Sequence, residues 1–151
     1  GVTGFRMTGA HAFSVTFGTL LADGYRLNHQ FDKAQEELEE VLKLAEKRGM
    51  KYNAACHHLL LGSISLEADP AQEKKPSADT CFEKAIAIFS EIKAENLLAL
   101  AYAGLGRCYG NKGDVAAARD YLNRALKIFE RLGTLLAPDG VREELAQLPE
   151  T

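Results

Sequence analysis

The fold is decided by two matching stretches of sequence, FEKAIAIF at residues 82–89 and LNRALKIF at residues 122–129. They align without a gap, so that Ala85 and Ala125 stand at equivalent places 40 residues apart. A third stretch, LEEVLKL at residues 38–44, shows the same apolar spacing 44 residues before the first of them. Apolar residues at intervals of three and four are typical of amphipathic helices. The chain is therefore expected to repeat one helical unit.

A second series of residues repeats with the same two intervals. It consists of Leu21-Ala22, Leu61-Gly62 and Leu105-Gly106, separated by 40 and then 44 residues. The two series use these intervals in opposite order, which places a four-residue insertion in the connection at residues 69–76. That connection, DPAQEKKP, contains two prolines and several charged residues, as expected of an exposed loop.

The composition of the chain and the residues that favour helix ends predict helices throughout. Alanine, leucine, glutamate and lysine are abundant, which favours helix. Gly49, Gly113 and Gly133 are predicted to end helices, and Asp114 to cap the following one. Helices are predicted near residues 9–28, 31–48, 52–68, 76–93, 95–112, 114–132 and 138–147.

A single all-α domain is expected over residues 1–151, because this length suits one domain. Its repeats are predicted at about residues 9–48, 52–93 and 95–132. The short helix at about 138–147 carries an apolar face of Val141, Leu145 and Leu148. Since an array of repeats needs a closed end, this helix is predicted to cap the last repeat.

The repeated residues resemble the tetratricopeptide repeat. The third repeat matches its signature best, with Leu105, Gly106, Tyr109, Gly113, Ala118, Leu122 and Ala125. The first supplies Leu21, Ala22, Tyr25, Phe31, Ala34, Leu38 and Val41, and the middle one Leu61, Gly62, Ala78, Phe82 and Ala85. The middle repeat departs from the pattern at Ser65, where the family has an aromatic residue.

The period of 40 to 44 residues exceeds the usual length of this repeat. The longer form resembles the repeats of kinesin light chains and of bacterial transcription activators and nucleotide cyclases with C-terminal repeat regions. The stretch at residues 128–145 is similar to the C-terminal end of such bacterial regulators. The resemblance implies a right-handed superhelical stack of three helical hairpins plus a C-terminal capping helix.

The charge of the chain limits the classes of partner that are expected, and its cysteine content indicates the cellular compartment. The net charge of −3 and the pI of about 5.8 argue against nucleic acid or an anionic membrane as partner. No apolar run in the sequence approaches the length of a membrane span. The cysteines, Cys56, Cys81 and Cys108, are odd in number and lack paired spacing, so a reducing cytoplasm is expected.

No catalytic, metal or cofactor site is predicted. His57 and His58 are neighbours on a helix and point about 100° apart, so they do not close on one ion. The same angle argues against a nucleophilic pair of Cys56 with either histidine, and buried packing is expected for most of the cysteines. No phosphate-binding glycine loop and no nucleophile elbow is present in the sequence.

The resemblance implies a concave groove lined by the first helix of each hairpin. The family's groove positions correspond to Thr16, Thr19, Asp23 and Arg26 in the first repeat, to Cys56, Leu59, Ser63 and Leu66 in the second, and to Leu100, Ala103, Arg107 and Asn111 in the third. The lysines and asparagines with which chaperone-binding members grip a peptide carboxylate are replaced by Asp23, Ser63 and Arg107. Arg26 and Arg107 are the groove residues most expected to contact a partner, because arginine is enriched at binding hot spots. The leucines of this set also suit a role in the core.

These patterns predict a non-enzymatic scaffold that binds a protein or peptide partner in the groove. The alternative is a C-terminal regulatory or sensory module of a larger bacterial signalling protein, of the transcription activator or nucleotide cyclase type. Self-association by stacking of end hairpins is a third possibility.

Overall fold

The computed structural model describes residues 24, 28, 30–67, 77–133 and 137–150. The connection at 69–76 and the predicted first helix at 9–28, apart from Gly24 and Asn28, lie outside these residues. Within them the chain is helical with no strand, and each predicted boundary is met to within two residues. The helices are α1 (Phe31–Lys47), α2 (Lys51–Glu67), α3 (Ala78–Glu91), α4 (Glu95–Asn111), α5 (Val115–Leu132) and α6 (Ala137–Gln147).

The helices end at the glycines that the sequence predicted as helix ends. Gly49, Gly113 and Gly133 have φ angles of +65°, +83° and +68°, the left-handed region that glycine enters at little cost. The Asp114 carboxylate accepts a hydrogen bond from the backbone N–H of Ala117 at 3.1 Å and caps α5. These predictions are confirmed.

Lys93 occupies the same conformation without being a glycine. It has a φ of +57° and lies one repeat after Gly49 and one repeat before Gly133. The following N–H, that of Ala94, donates to the carbonyl of Phe89 at 3.0 Å, as the N–H of Met50 donates to Ala45 at 2.9 Å. The repeat therefore imposes one turn geometry even where the residue does not favour it.

The helices pack in chain order. Each helix contacts the next, so α2 with α3 and α4 with α5 form two hairpins, and α1 precedes them as the second helix of the predicted first hairpin. The first helices α2 and α4 also contact one another directly. This arrangement is the helical repeat stack that the sequence predicted.

The core of the stack is organised around Phe82 of α3. Its ring lies against the backbones of two glycines, Gly62 on α2 and Gly104 on α4, and the side chain is 1% exposed. A Cβ added at Gly62 would lie 2.9 Å from the ring, closer than packed atoms approach. Ser65, at the position where the family has an aromatic residue, is buried on α2.

We expect Gly104→Ala to lower the free energy of unfolding by about 1–2 kcal/mol, because the added methyl overpacks against the Phe82 ring by more than the gain in helix propensity. Urea unfolding followed by circular dichroism measures this difference. Gly110→Ala on the same helix is the matched control, since its Cβ would make ordinary contacts of 3.8 and 3.9 Å. A Gly104→Ala protein as stable as Gly110→Ala would contradict the close approach.

Helix α6 packs on α5 through the apolar face that the sequence predicted. Val141 is buried, and Leu145 and Leu148 pack against the cluster that contains Leu122 and Phe129. The apolar spacing of α6 matches that of α4, 40 residues earlier in the chain. The matching residues are Pro138, Val141, Leu145 and Leu148 on α6 and Leu98, Ala101, Leu105 and Cys108 on α4. Helix α6 therefore packs on α5 in the same way as α4 packs on α3. It occupies the position that the first helix of another hairpin would take.

Candidate functional site

The predicted groove residues that the structure describes lie on α2 and α4, the two first helices in contact. Four of the predicted positions, Thr16, Thr19, Asp23 and Arg26, lie outside the described residues. The remainder follow helical spacing along one side of each helix, and Tyr52 continues that spacing one turn earlier on α2. We call this surface the α2–α4 face; it comprises Tyr52, Cys56, Leu59, Ser63, Leu66, Leu100, Arg107 and Asn111.

The α2 side of the face is half-buried and internally bonded. Cys56, Leu59, Ser63 and Leu66 are all partly exposed. The Ser63 hydroxyl donates to the carbonyl of Leu59 at 3.0 Å, and the Tyr52 side chain hydrogen-bonds the thiol of Cys56. Burial raises the pKa of Cys56, and the Tyr52 hydrogen bond opposes that shift only in part. The thiol is therefore protonated at neutral pH and serves as a small apolar contact.

The α4 side exposes one large apolar residue and buries its neighbour. Leu100 is 41% exposed, whereas Ala103, assigned to the groove by the same resemblance, is 2% exposed and belongs to the core. Asn111, the last residue of α4, is exposed. The α2–α4 face thus has an apolar part around Leu100 and Tyr52 and a polar part at the C-terminal end of α4.

The polar part contains an ion pair with α6 that the sequence analysis missed. The Arg107 guanidinium donates through Nε to Glu144 Oε2 at 2.8 Å and through Nη2 to Glu144 Oε1 at 2.7 Å. A cleft of about 310 Å³ beside this pair is lined by Asn111, Gln147 and Leu148 among others. The predicted capping face of α6 was the signal that could have placed Glu144 here, because it lies one residue before Leu145.

Two further ion pairs frame the opposite edge of the hairpins. Lys51 at the start of α2 bonds Glu91 at the end of α3, and Glu95 at the start of α4 bonds Arg131 at the end of α5, both at 2.6 Å. Lys51 and Glu95 occupy equivalent positions of successive repeats, as do Glu91 and Arg131, and the signs of the two charges are exchanged between the pairs. The Arg131 hydrogen bond lowers the pKa of Glu95, which keeps this pair charged at neutral pH. Each pair ties the two helices of one hairpin together.

The histidines are part of the packing. His57 is fully buried, and burial lowers its pKa to about 4, with His58 adding to the shift. His58 is 6% exposed, and its Nε2 lies 3.5 Å from Glu46 Oε1. Burial also lowers the pKa of His58. Both rings are therefore neutral at pH 7, which suits residues between helices.

The remaining candidates for chemistry are metal-binding clusters and reactive thiols. Within them, no three histidine, cysteine, aspartate or glutamate side chains come together as a metal site. Cys81 and Cys108 are buried, and burial raises the pKa of each thiol to about 11. A thiol with so high a pKa is a poor nucleophile at neutral pH.

The comparison with protein families agrees with the geometry. Residues 71–131 match the family profile of the tetratricopeptide repeat. This stretch contains α3, α4 and all of α5 except its last residue. This stretch is a tetratricopeptide repeat. Tetratricopeptide repeats generally mediate protein–protein interaction, and the family is typically a non-catalytic interaction scaffold. A comparison with curated proteins found no match for this chain.

None of the helices over residues 31–67, 78–132 and 137–147 combines the length and the hydropathy that crossing a bilayer requires.

Proposed function

We propose that the chain is a non-catalytic scaffold that holds a protein or peptide partner against the α2–α4 face, which forms part of a concave groove. The observation that carries the proposal is the exposure of Leu100 and Tyr52, at 41% and 53%, on that face. The other large apolar residues exposed to this degree in the described residues are Ile92 and Leu132, which lie at the ends of second helices.

The physical reason is the energy that a partner gains on this face. Burying a leucine or a tyrosine that is exposed in the free protein releases apolar surface from water. The half-buried Cys56, Leu59 and Leu66 supply a surface that is already packed and loses little side-chain freedom on binding. The Ser63 and Asn111 side chains offer hydrogen bonds that orient a backbone. The face therefore suits an extended or helical segment with apolar anchors.

We expect Leu100→Arg to weaken capture of the partner about tenfold or more, because it places an unpaired charge at the centre of the contact. The measurement is affinity capture from a lysate of the source cells with quantitative mass spectrometry. Leu132→Arg is the matched control, since Leu132 is 42% exposed and lies off the face at the end of α5.

The results with the two variants distinguish binding to the α2–α4 face from binding to the outer helices. A protein retained by the unchanged chain and by Leu132→Arg but lost with Leu100→Arg supports the proposal. A protein lost only with Leu132→Arg would assign binding to the outer helices and contradict it. If the chain captures itself, light scattering of purified protein shows the mass rising with concentration, and the same pair of variants tells whether the α2–α4 face is used.

The proposal places the scaffold in the cytoplasm. Cys56, Cys81 and Cys108 are all free thiols, and the buried pair contributes to the core as reduced side chains. A reducing compartment keeps them so.

A second candidate function rests on the similarity of residues 128–145 to the ends of bacterial regulators. In that case the chain is the regulatory module of a larger bacterial signalling protein, and the α2–α4 face binds a segment or domain of that same protein. Expression of the intact gene product with Leu100→Arg tests this candidate. It predicts altered activity of the linked domain, whereas a plain scaffold predicts loss of a separate partner.

A further inference from the structure

We propose that a pocket at the start of α2 receives one aromatic side chain of a protein partner. The pocket lies where α1 ends, α2 begins and α3 ends, and its volume is about 300 Å³. We call it the edge pocket; its lining includes Ala45, Met50, Lys51, Ala54, Ile88 and Glu91. The residues of the α2–α4 face form no part of this lining. The inference therefore adds a second contact site, and it rests only on the proposal that the chain binds a protein.

The pocket is present because two residues are small where the next repeat has large ones. Ala45 and Ala54 lie 44 residues before Phe89 and Leu98. The turns that follow Ala45 and Phe89 contain the same backbone hydrogen bond, at 2.9 and 3.0 Å, so the two positions are structurally equivalent. Phe89 is fully buried, and Leu98 packs against the same cluster. The chain thus fills this space with its own ring in one repeat and not in the repeat before it.

The missing side-chain volume is close to that of one benzene ring. Phenylalanine and leucine together have nine more heavy atoms than the two alanines that replace them here. Met50 stands where the next repeat has Ala94, and it returns three of these atoms. The shortfall is about six atoms, and in a close-packed protein such a shortfall leaves a space of the same size.

The lining of the pocket favours an aromatic group over an aliphatic one. Ala45 and Ala54 are buried and Ile88 is half-buried, so the inner wall is apolar. The Met50 thioether is flexible, and its sulfur makes favourable contacts with aromatic rings. The bonded side chains of Lys51 and Glu91 are both 60% exposed and therefore lie at the mouth. An apolar interior with a polar mouth suits a ring whose backbone remains in solvent.

The size of the pocket favours a protein side chain over a free small molecule. A volume of about 300 Å³ is at the lower limit of small-molecule sites. A single ring buries little apolar surface, and a free molecule must offset its whole loss of translational freedom with that surface. A side chain shares this cost with the rest of its interface. Aromatic side chains that fill pockets carry much of the binding energy between proteins.

The first test is an NMR titration of the chain labelled at its methionine and isoleucine methyl groups, with the blocked pentapeptide Gly-Gly-Phe-Gly-Gly as the probe. We expect the Met50 and Ile88 signals to shift with a Kd on the order of millimolar. Ile128 is the equivalent of Ile88 one repeat later, and its signal should not move. A peptide with leucine in place of phenylalanine should bind about threefold more weakly or worse. Absent shifts at Met50 and Ile88, equal shifts at Ile128, or equal binding of the two peptides would each overturn the inference.

The second test fills the pocket from within. Ala45→Phe restores the residue of the next repeat and should weaken binding of the phenylalanine peptide at least about tenfold. Ala54→Leu does the same from α2 with a smaller side chain, and about threefold is expected. Ala146→Leu, at an exposed position of α6, is the matched control. Circular dichroism shows which variants are folded. A folded filling variant that binds the peptide as the control does contradicts the inference.

Capture from a lysate of the source cells identifies the occupant. Support requires a protein that is held by the unchanged chain and by Ala146→Leu but lost with Ala45→Phe. It must be lost again when one of its own aromatic residues is changed to alanine. A small aromatic molecule that copurifies with the unchanged chain and not with Ala45→Phe would overturn the protein occupant. So would a mass in light scattering that rises with concentration only while Ala45 is present, because a second copy would then fill the pocket.

The edge pocket and the α2–α4 face can fail separately. Leu100→Arg should leave the peptide titration unchanged, because Leu100 lies outside the lining of the pocket. A captured protein that requires Leu100 but not Ala45 supports the face and overturns the pocket. One that requires Ala45 but not Leu100 supports the pocket and contradicts the face. If no captured protein depends on either residue, both proposals are wrong.

Discussion

Replacing Phe82 with alanine is expected to lower the free energy of unfolding by about 3–5 kcal/mol, which is much of the stability of a domain of this size. The ring is 1% exposed and packs with Leu105 and Cys108 of α4. Because it also fills the space between two glycine backbones, those helices have no side chains of their own with which to close the cavity. Urea unfolding followed by circular dichroism measures the change.

The control for this prediction is an exposed apolar truncation. Leu132→Ala removes a side chain that is 42% exposed at the end of α5, and a change within about 0.5 kcal/mol is expected. Phe82→Leu, which keeps most of the volume, should fall between the two. If Phe82→Ala and Leu132→Ala destabilised the protein equally, Phe82 would not be the centre of the core.

The second large effect is a loss of stability as the pH falls from 7 to 4, of which His57 contributes about 3 kcal/mol. The pKa of the buried His57 is lowered to about 4, whereas in the unfolded chain it has its ordinary value near 6.5. Between these values the unfolded chain binds more protons than the folded one. The contribution is therefore fully present above pH 6.5 and is lost as the pH falls through 4.

Unfolding free energies at several pH values between 4 and 7 measure this slope. His57→Leu should flatten the slope even if it changes the stability at pH 7, because the variant has no imidazole to protonate. His58→Gln should flatten it in the same direction, since burial lowers the pKa of His58 as well. A slope that His57→Leu leaves unchanged would show that groups other than His57 cause the acid sensitivity.

Much of the described fold was predictable because it depends on local and periodic features. The glycines at 49, 113 and 133 set the turns through their own backbone freedom, and Asp114 capped α5 as predicted. The spacing of Val141, Leu145 and Leu148 predicted the face of α6 that packs on the core, because an apolar stripe on a helix is buried wherever a neighbour is available.

The candidate site was predictable only as a set of positions. Helical spacing and the resemblance to the tetratricopeptide repeat placed Leu100 and Ala103 together, but the structure exposes the first and buries the second. The pairing of Arg107 was not predictable from α4 alone, because its partner Glu144 is 37 residues away on another helix. The first-repeat positions Thr16, Thr19, Asp23 and Arg26 stay predictions.

The sequence by itself determined the helices, their order and the repeat, since these follow from backbone preferences and from the period of the apolar residues. Only the tertiary structure decided how closely α2 and α4 approach α3, because the Phe82 ring that packs on the backbones of Gly62 and Gly104 comes from a different helix. It also decided which exposed side chains lie on the α2–α4 face and which acid Arg107 binds. The physical reason is the same in both cases: contacts between helices depend on the distance and tilt of whole elements, which no local pattern specifies.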